Sequence, residues 1–74
     1  MENNNEAIGK KAKFFIDKNT SVHISLSNGK FYNGFIKYLG ADFVLIEDIR
    51  FGEMPAFFIE IIDITPYKER EDIK

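Results

Sequence analysis

Val22-His23-Ile24-Ser25-Leu26-Ser27-Asn28-Gly29-Lys30-Phe31-Tyr32-Asn33-Gly34-Phe35-Ile36 is the stretch whose reading decides the fold. Val22, Ile24 and Leu26 alternate with His23, Ser25 and Ser27, the period of a half-buried strand. Asn28-Gly29 follows as a hairpin turn, because both residue types tolerate positive φ. Phe31 to Leu39 reads as a second strand with aromatic or aliphatic residues at both parities. Gly34 in its interior marks a bulge or sharp bend, as needed when a short sheet curls into a barrel. Tyr32 and Ile36 share its parity and are assigned to the core. Phe31 and Phe35 then face the other way, under a helix or against a neighbour.

Beyond this hairpin, Gly40-Ala41-Asp42 is a tight connection and Phe43 to Ile49 a third strand. Arg50 to Pro55 reads as a loop with Gly52 and Pro55 as breakers. Ala56 to Thr65 is densely apolar, one bent strand or two short ones, and Pro66 ends it. On the N-terminal side, Ala7, Ile8, Ala12, Phe15 and Ile16 fall near helical spacing between Glu6 and Asp17. That helix is short and contains Gly9, so it needs a sheet to dock on. Residues 1–6, with three consecutive Asn, are expected to be disordered. Residues 7–67 form one domain, and 68–74 a charged tail. The sum is mostly β: a short helix followed by five strands in a small, strongly bent antiparallel barrel.

The chain has 74 residues, which allows one domain with a small stability margin. It contains no Cys and one His, so disulfides, thiolate metal sites and Cys–His pairs are excluded. Neither a metal nor another cofactor is expected, and catalysis has almost no support. His23 reads as a solvated strand histidine. Glu47, Asp48, Glu53, Glu60 and Asp63 match no calcium-loop spacing and read as a solvated acidic rim.

Eight Phe and three Tyr are hard to bury completely in so small a domain, which points to apolar surface covered by another chain. No apolar run reaches the ~18 residues of a membrane span, and the polar start is unlike a secretory signal, so the expected compartment is the cytoplasm. The net charge of −2 argues against binding nucleic acid through bulk electrostatics. The charge is uneven, however: residues 8–18 carry four Lys and one Asp, whereas residues 39–63 carry six acids and only Arg50. Lys10, Lys11 and Lys13 read as the solvent face of an amphipathic helix, or as a basic rim for phosphates.

The hairpin stretch resembles the first signature of the Sm-like (LSm/Hfq) superfamily: alternating aliphatics, an NG turn, an aromatic three residues after the turn Gly, a bend Gly, then an aliphatic. Asp42 to Asp48 is similar to the family's third strand, and Ile61-Ile62-Asp63-Ile64-Thr65-Pro66 to its closing strand. Other small SH3-like barrels share the same physics. The resemblance implies a homo-oligomeric ring of six or seven subunits, joined strand to edge strand, and affinity for single-stranded RNA. Phe57, Phe58, Ile59, Phe31 and Phe35 are then interface candidates. Asp42, Phe43, Lys10, Lys11 and Lys13 are RNA-contact candidates, and Asn28, Gly29 and Gly34 structural turns.

The chain departs from the family's uracil-binding motifs. Leu39-Gly40-Ala41-Asp42-Phe43 is one residue shorter than the Sm loop and lacks its Asn, while Phe57-Phe58-Ile59 stands where Sm proteins have Arg-Gly and Hfq a Tyr-Lys-His motif. Phe43 remains able to stack a base. The leading expectation is a non-catalytic, RNA-binding Sm-like ring. The alternative is a protein-interaction or assembly module on the same scaffold.

Overall fold

A helix of fifteen residues, Asn4–Lys18 (α1), precedes all the strands in a computed structural model that describes residues 4–67. It starts two residues earlier than its apolar period indicates and takes in residues assigned to a disordered start; residues 1–3 and the charged segment 68–74 lie outside the described residues. Ile8 and Ala12 are buried and Phe15 and Ile16 pack against the core, whereas Ala7 is exposed. Asn19 ends the helix at φ 54°. Its N–H donates to Ile16 O (3.0 Å) and that of Thr20 to Phe15 O (3.1 Å), which satisfies two terminal carbonyls in a Schellman cap.

Five strands follow: β1 (Val22–Leu26), β2 (Phe31–Leu39), β3 (Phe43–Asp48), β4 (Gly52–Phe57) and β5 (Ile61–Pro66). They form one antiparallel sheet in the order β4-β3-β2-β1-β5. β4 and β5 are not paired with each other, so the five strands of the expected bent barrel form a sheet that hydrogen bonds do not close. Helix α1 lies against β2, β5 and a 3-10 turn at Phe58–Glu60.

The β1–β2 turn differs in detail from its sequence reading. Only Gly29 has positive φ (87°). Gly29 N donates to Leu26 O, and Leu26 N to Lys30 O, so the loop is three residues, Ser27 to Gly29. The Asn28 side chain accepts from Lys30 N–H (2.9 Å) and holds the turn from within.

Gly34 is not the bulge. The irregularity in β2–β3 pairing falls three residues on, between Ile36 and Tyr38. Gly34 is needed for close approach: a Cβ there would stand 1.8 Å from the backbone oxygen of Glu47. Because parity holds through Gly34, Ile36 is buried, Tyr32 packs against the core, and Phe31 and Phe35 face outward, 40% and 45% exposed.

The segment read as a loop from Arg50 to Pro55 is mostly strand. Pro55 lies within β4 opposite Leu45. An edge strand tolerates Pro because only alternate N–H groups are required by its single neighbour. Ala56 to Thr65 resolves into two strands broken by the 3-10 turn. That turn separates three neighbouring candidates: Phe57 ends β4 and is exposed, Phe58 enters the core, and Ile59 projects at 84% exposure. Phe58 is therefore removed from the interface candidates.

The core joins Val22, Ile24 and Leu26 of β1 to Ile36, Val44, Ile46, Ala56, Ile61 and Ile64, closed by Ile8, Ala12 and Phe58. Two glycines predict opposite outcomes. Gly34→Ala clashes with backbone and is expected to remove most of a margin of roughly 3–5 kcal/mol, read as an unfolded circular-dichroism spectrum. A Cβ at Gly9 meets only the Phe58 ring at an ordinary 3.6 Å. Gly9→Ala is therefore expected to raise stability by about 0.5–1 kcal/mol in chemical denaturation.

Candidate functional site

The β2–β3 connection gathers aromatic rings. Gly40 N–H donates to Phe43 O (2.7 Å) and closes the turn. The absence of a side chain at Gly40 matters here, since a Cβ would lie 2.3 Å from the Phe43 ring. Phe43 pairs in register with Phe57 of β4, their ring centroids 5.8 Å apart, and lies 6.0 Å from the Tyr38 ring. Phe43 is half-buried, and Tyr38 and Phe57 expose their outer faces. Asp42 is exposed beside them, and its carbonyl accepts from Phe58 N–H, tying the turn to the end of β4. The structure thus places Asp42 and Phe43 together and adds Tyr38, which was not singled out, and Phe57, which was assigned to an interface.

The helix lysines are not brought to this cluster. Lys11 pairs with the Asp63 carboxylate on β5, and Lys13 with Asp17 one helical turn on (3.4 Å). Lys10 is exposed and makes no ion pair among the described residues. The Lys11 ammonium, opposed by partial burial and helped by the Ile64 N–H, holds the Asp63 carboxyl below its ordinary value. Both partners are about half exposed, so the pair contributes little to stability.

A second cluster surrounds Asp48, which is buried rather than part of a solvated rim. Its Oδ1 accepts from Asn33 N–H on β2 (2.8 Å). Its Oδ2 accepts from the N–H groups of Arg50 (2.8 Å) and Phe51 (2.9 Å) and from Arg50 Nε (3.4 Å). Burial opposes ionisation, yet these donors together outweigh it and hold the carboxyl below its ordinary value. Asn33 is the junction: its carbonyl accepts from Ile49 N–H, and its side-chain oxygen from Nδ1 of half-buried His23 (2.6 Å).

With its backbone so held, Arg50 extends over Phe31 and Phe51, its guanidinium carbon 4.6 and 4.7 Å from the two ring centroids, and Nη2 donates to Phe31 O (2.6 Å). Lys30, Phe31, Tyr32, Arg50, Phe51 and Met54 line a cleft of about 500 Å³ beside it. The sequence carried one weak signal for this arrangement: an Asp at the start of a turn, a residue type whose side chain accepts from the backbone N–H two residues on. No group of three or more His, Asp and Glu side chains converges as a metal site among the described residues. No helix among them is long and apolar enough to cross a membrane. No protein-family model matches the chain, and no curated protein does.

Removing the Asp48 acceptor strands the buried Asn33 N–H. Asp48→Ala is therefore expected to lower stability by about 2–4 kcal/mol. The folded-state pKa of Asp48 is depressed, so its stabilisation is complete above the ordinary carboxylate value and is lost as pH falls through the lower folded value. The urea midpoint of the native chain should accordingly fall as pH drops below about 4, and that of Asp48→Asn should fall less.

Proposed function

We propose that this protein is an Sm-like, non-catalytic subunit that assembles with copies of itself into a ring of six or seven and binds single-stranded RNA by stacking bases on exposed aromatics. The observation that carries the reading is the Tyr38–Phe43–Phe57 cluster, in which half-buried Phe43 packs between two exposed rings, Tyr38 and Phe57, at one end of the sheet. Stacking needs only an exposed π-face, so it survives without the polar groups that select a base. The strand order β4-β3-β2-β1-β5, with both outer edges unpaired, supports assembly. Each copy offers an edge to the next, and pairing would relieve the liability of two open edges. Phe57, Ile59 and Ile62 add exposed apolar surface beside them.

One observation favours a second reading, a protein-interaction or assembly module without nucleotide recognition. Lys11 and Lys13 are already paired with Asp63 and Asp17, which reduces the charge left for phosphates. A protein captured by the native chain and released by Phe57→Glu would support this reading.

Native mass spectrometry and fluorescence anisotropy with uridine- and adenine-rich oligonucleotides test the first reading. The expected results are a hexamer or heptamer, affinity that falls with salt, and a loss of about tenfold in Phe43→Ala. A monomer at micromolar concentration removes the ring, and no binding to a random single-stranded pool at low salt removes the RNA.

A further inference from the structure

The cleft beside Arg50 stands apart from the proposed stacking cluster. It is built on Phe31 at the start of β2, whereas Tyr38 lies near the strand's other end. His23 reaches Phe31 from β1, with ring centroids 5.3 Å apart, and Arg50 reaches it from the β3–β4 turn. Phe51 lies against the same guanidinium. His23, Phe31, Arg50 and Phe51 therefore form a succession of planar groups already in contact, and a nucleobase could not insert between them without displacing a member.

The edge of the guanidinium remains. Of its five N–H groups, Nε–H is directed to Asp48 and one on Nη2 to Phe31 O, which leaves Nη1 and the other Nη2 hydrogen for a ligand. Such a fork matches the two oxygens of a carboxylate. Lys30 lines the same cleft and makes no ion pair among the described residues, while Phe31, Phe51 and Met54 supply apolar wall. None of the lining residues is acidic. The lining carries two cations, Lys30 and Arg50, which is the charge to hold one carboxylate rather than a run of phosphates.

We propose that this cleft reads an acidic peptide: Arg50 and Lys30 grip one Asp or Glu side chain, and the apolar residue beside it packs on Phe31, Phe51 and Met54. The cations determine the charge of the occupant, and the covered guanidinium faces determine that it is recognised edge-on.

The test is a titration of the ¹⁵N-labelled full chain with three probes: acetyl-Leu-Glu-Leu-amide, its glutamine counterpart, and hexa-adenylate. The glutamate peptide is expected to move the amide signals of Lys30, Arg50 and Phe51 and the Arg50 side-chain signal, saturating in the millimolar range. The glutamine peptide should bind about tenfold more weakly. Arg50→Lys keeps the charge but loses the fork and should bind about tenfold more weakly, whereas Phe43→Ala should bind the peptide as the native chain does. Lys30→Gln touches no internal bond of its side chain, so it serves even if the Arg50 variant fails to fold, and should weaken the glutamate peptide about threefold. Equal binding of the two peptides overturns the proposal. So does an absence of shifts up to about 10 mM, or tighter binding of hexa-adenylate at the same signals.

Discussion

A single buried carboxylate organises one end of this sheet. Asp48 closes the β3–β4 turn by accepting from two of its backbone N–H groups, and it reaches across to the backbone of Asn33 on β2. The turn, the neighbouring strand and the Arg50 side chain are thereby referred to one point. A neutral side chain there would leave donors unsatisfied in an interior where unpaired groups are costly. Among the described residues the carboxylate meets no lysine: its charge is balanced by N–H dipoles and by a guanidinium that also lies over two phenyl rings. Placement of the aromatic cleft therefore follows from hydrogen bonding rather than from apolar packing.

The abundance of aromatic residues is resolved by geometry. Among the eight Phe residues only Phe58 is fully buried, and the β-branched and small side chains fill the interior. β2 exposes Phe31 at one end and Tyr38 at the other, and each gathers further rings from the adjacent turn. The molecule thus presents two aromatic surfaces of different chemistry: one neutral and open-faced, the other clamped around a cation.

The sequence was most informative where a period or a turn residue acts locally. Val22, Ile24 and Leu26 are all buried as their alternation requires, and Gly29, though not Asn28, takes the positive φ read for the turn. It was least informative where tertiary contact chooses between equivalent residues. Six acids within residues 39–63 look alike in composition, yet only Asp48 is buried. Phe57 and Phe58 are adjacent and identical, and a 3-10 turn sends them to opposite environments. Gly34 signals that a side chain is forbidden, but whether for a bulge or for an approaching backbone depends on a partner strand far along the chain. For the candidate site, Phe43 was legible from the loop, whereas Arg50 was not, because its role rests on the hydrogen bonds of its neighbours.

The strand order also has a kinetic meaning. β1 to β4 form a meander in which each strand pairs with its successor, so these contacts close short loops. β5 instead returns to lie beside β1, pairing Val22 with Pro66 and Ile24 with Ile64 across the whole meander. Such non-local contacts bring the largest loop-closure penalty and form slowly. Until β5 arrives, β1 has a bare edge, Ile61 and Ile64 are missing from the interior, and α1 lacks part of its platform. Docking of β5 is thus the contact with the longest loop to close, and the one that completes both the interior and the platform under α1.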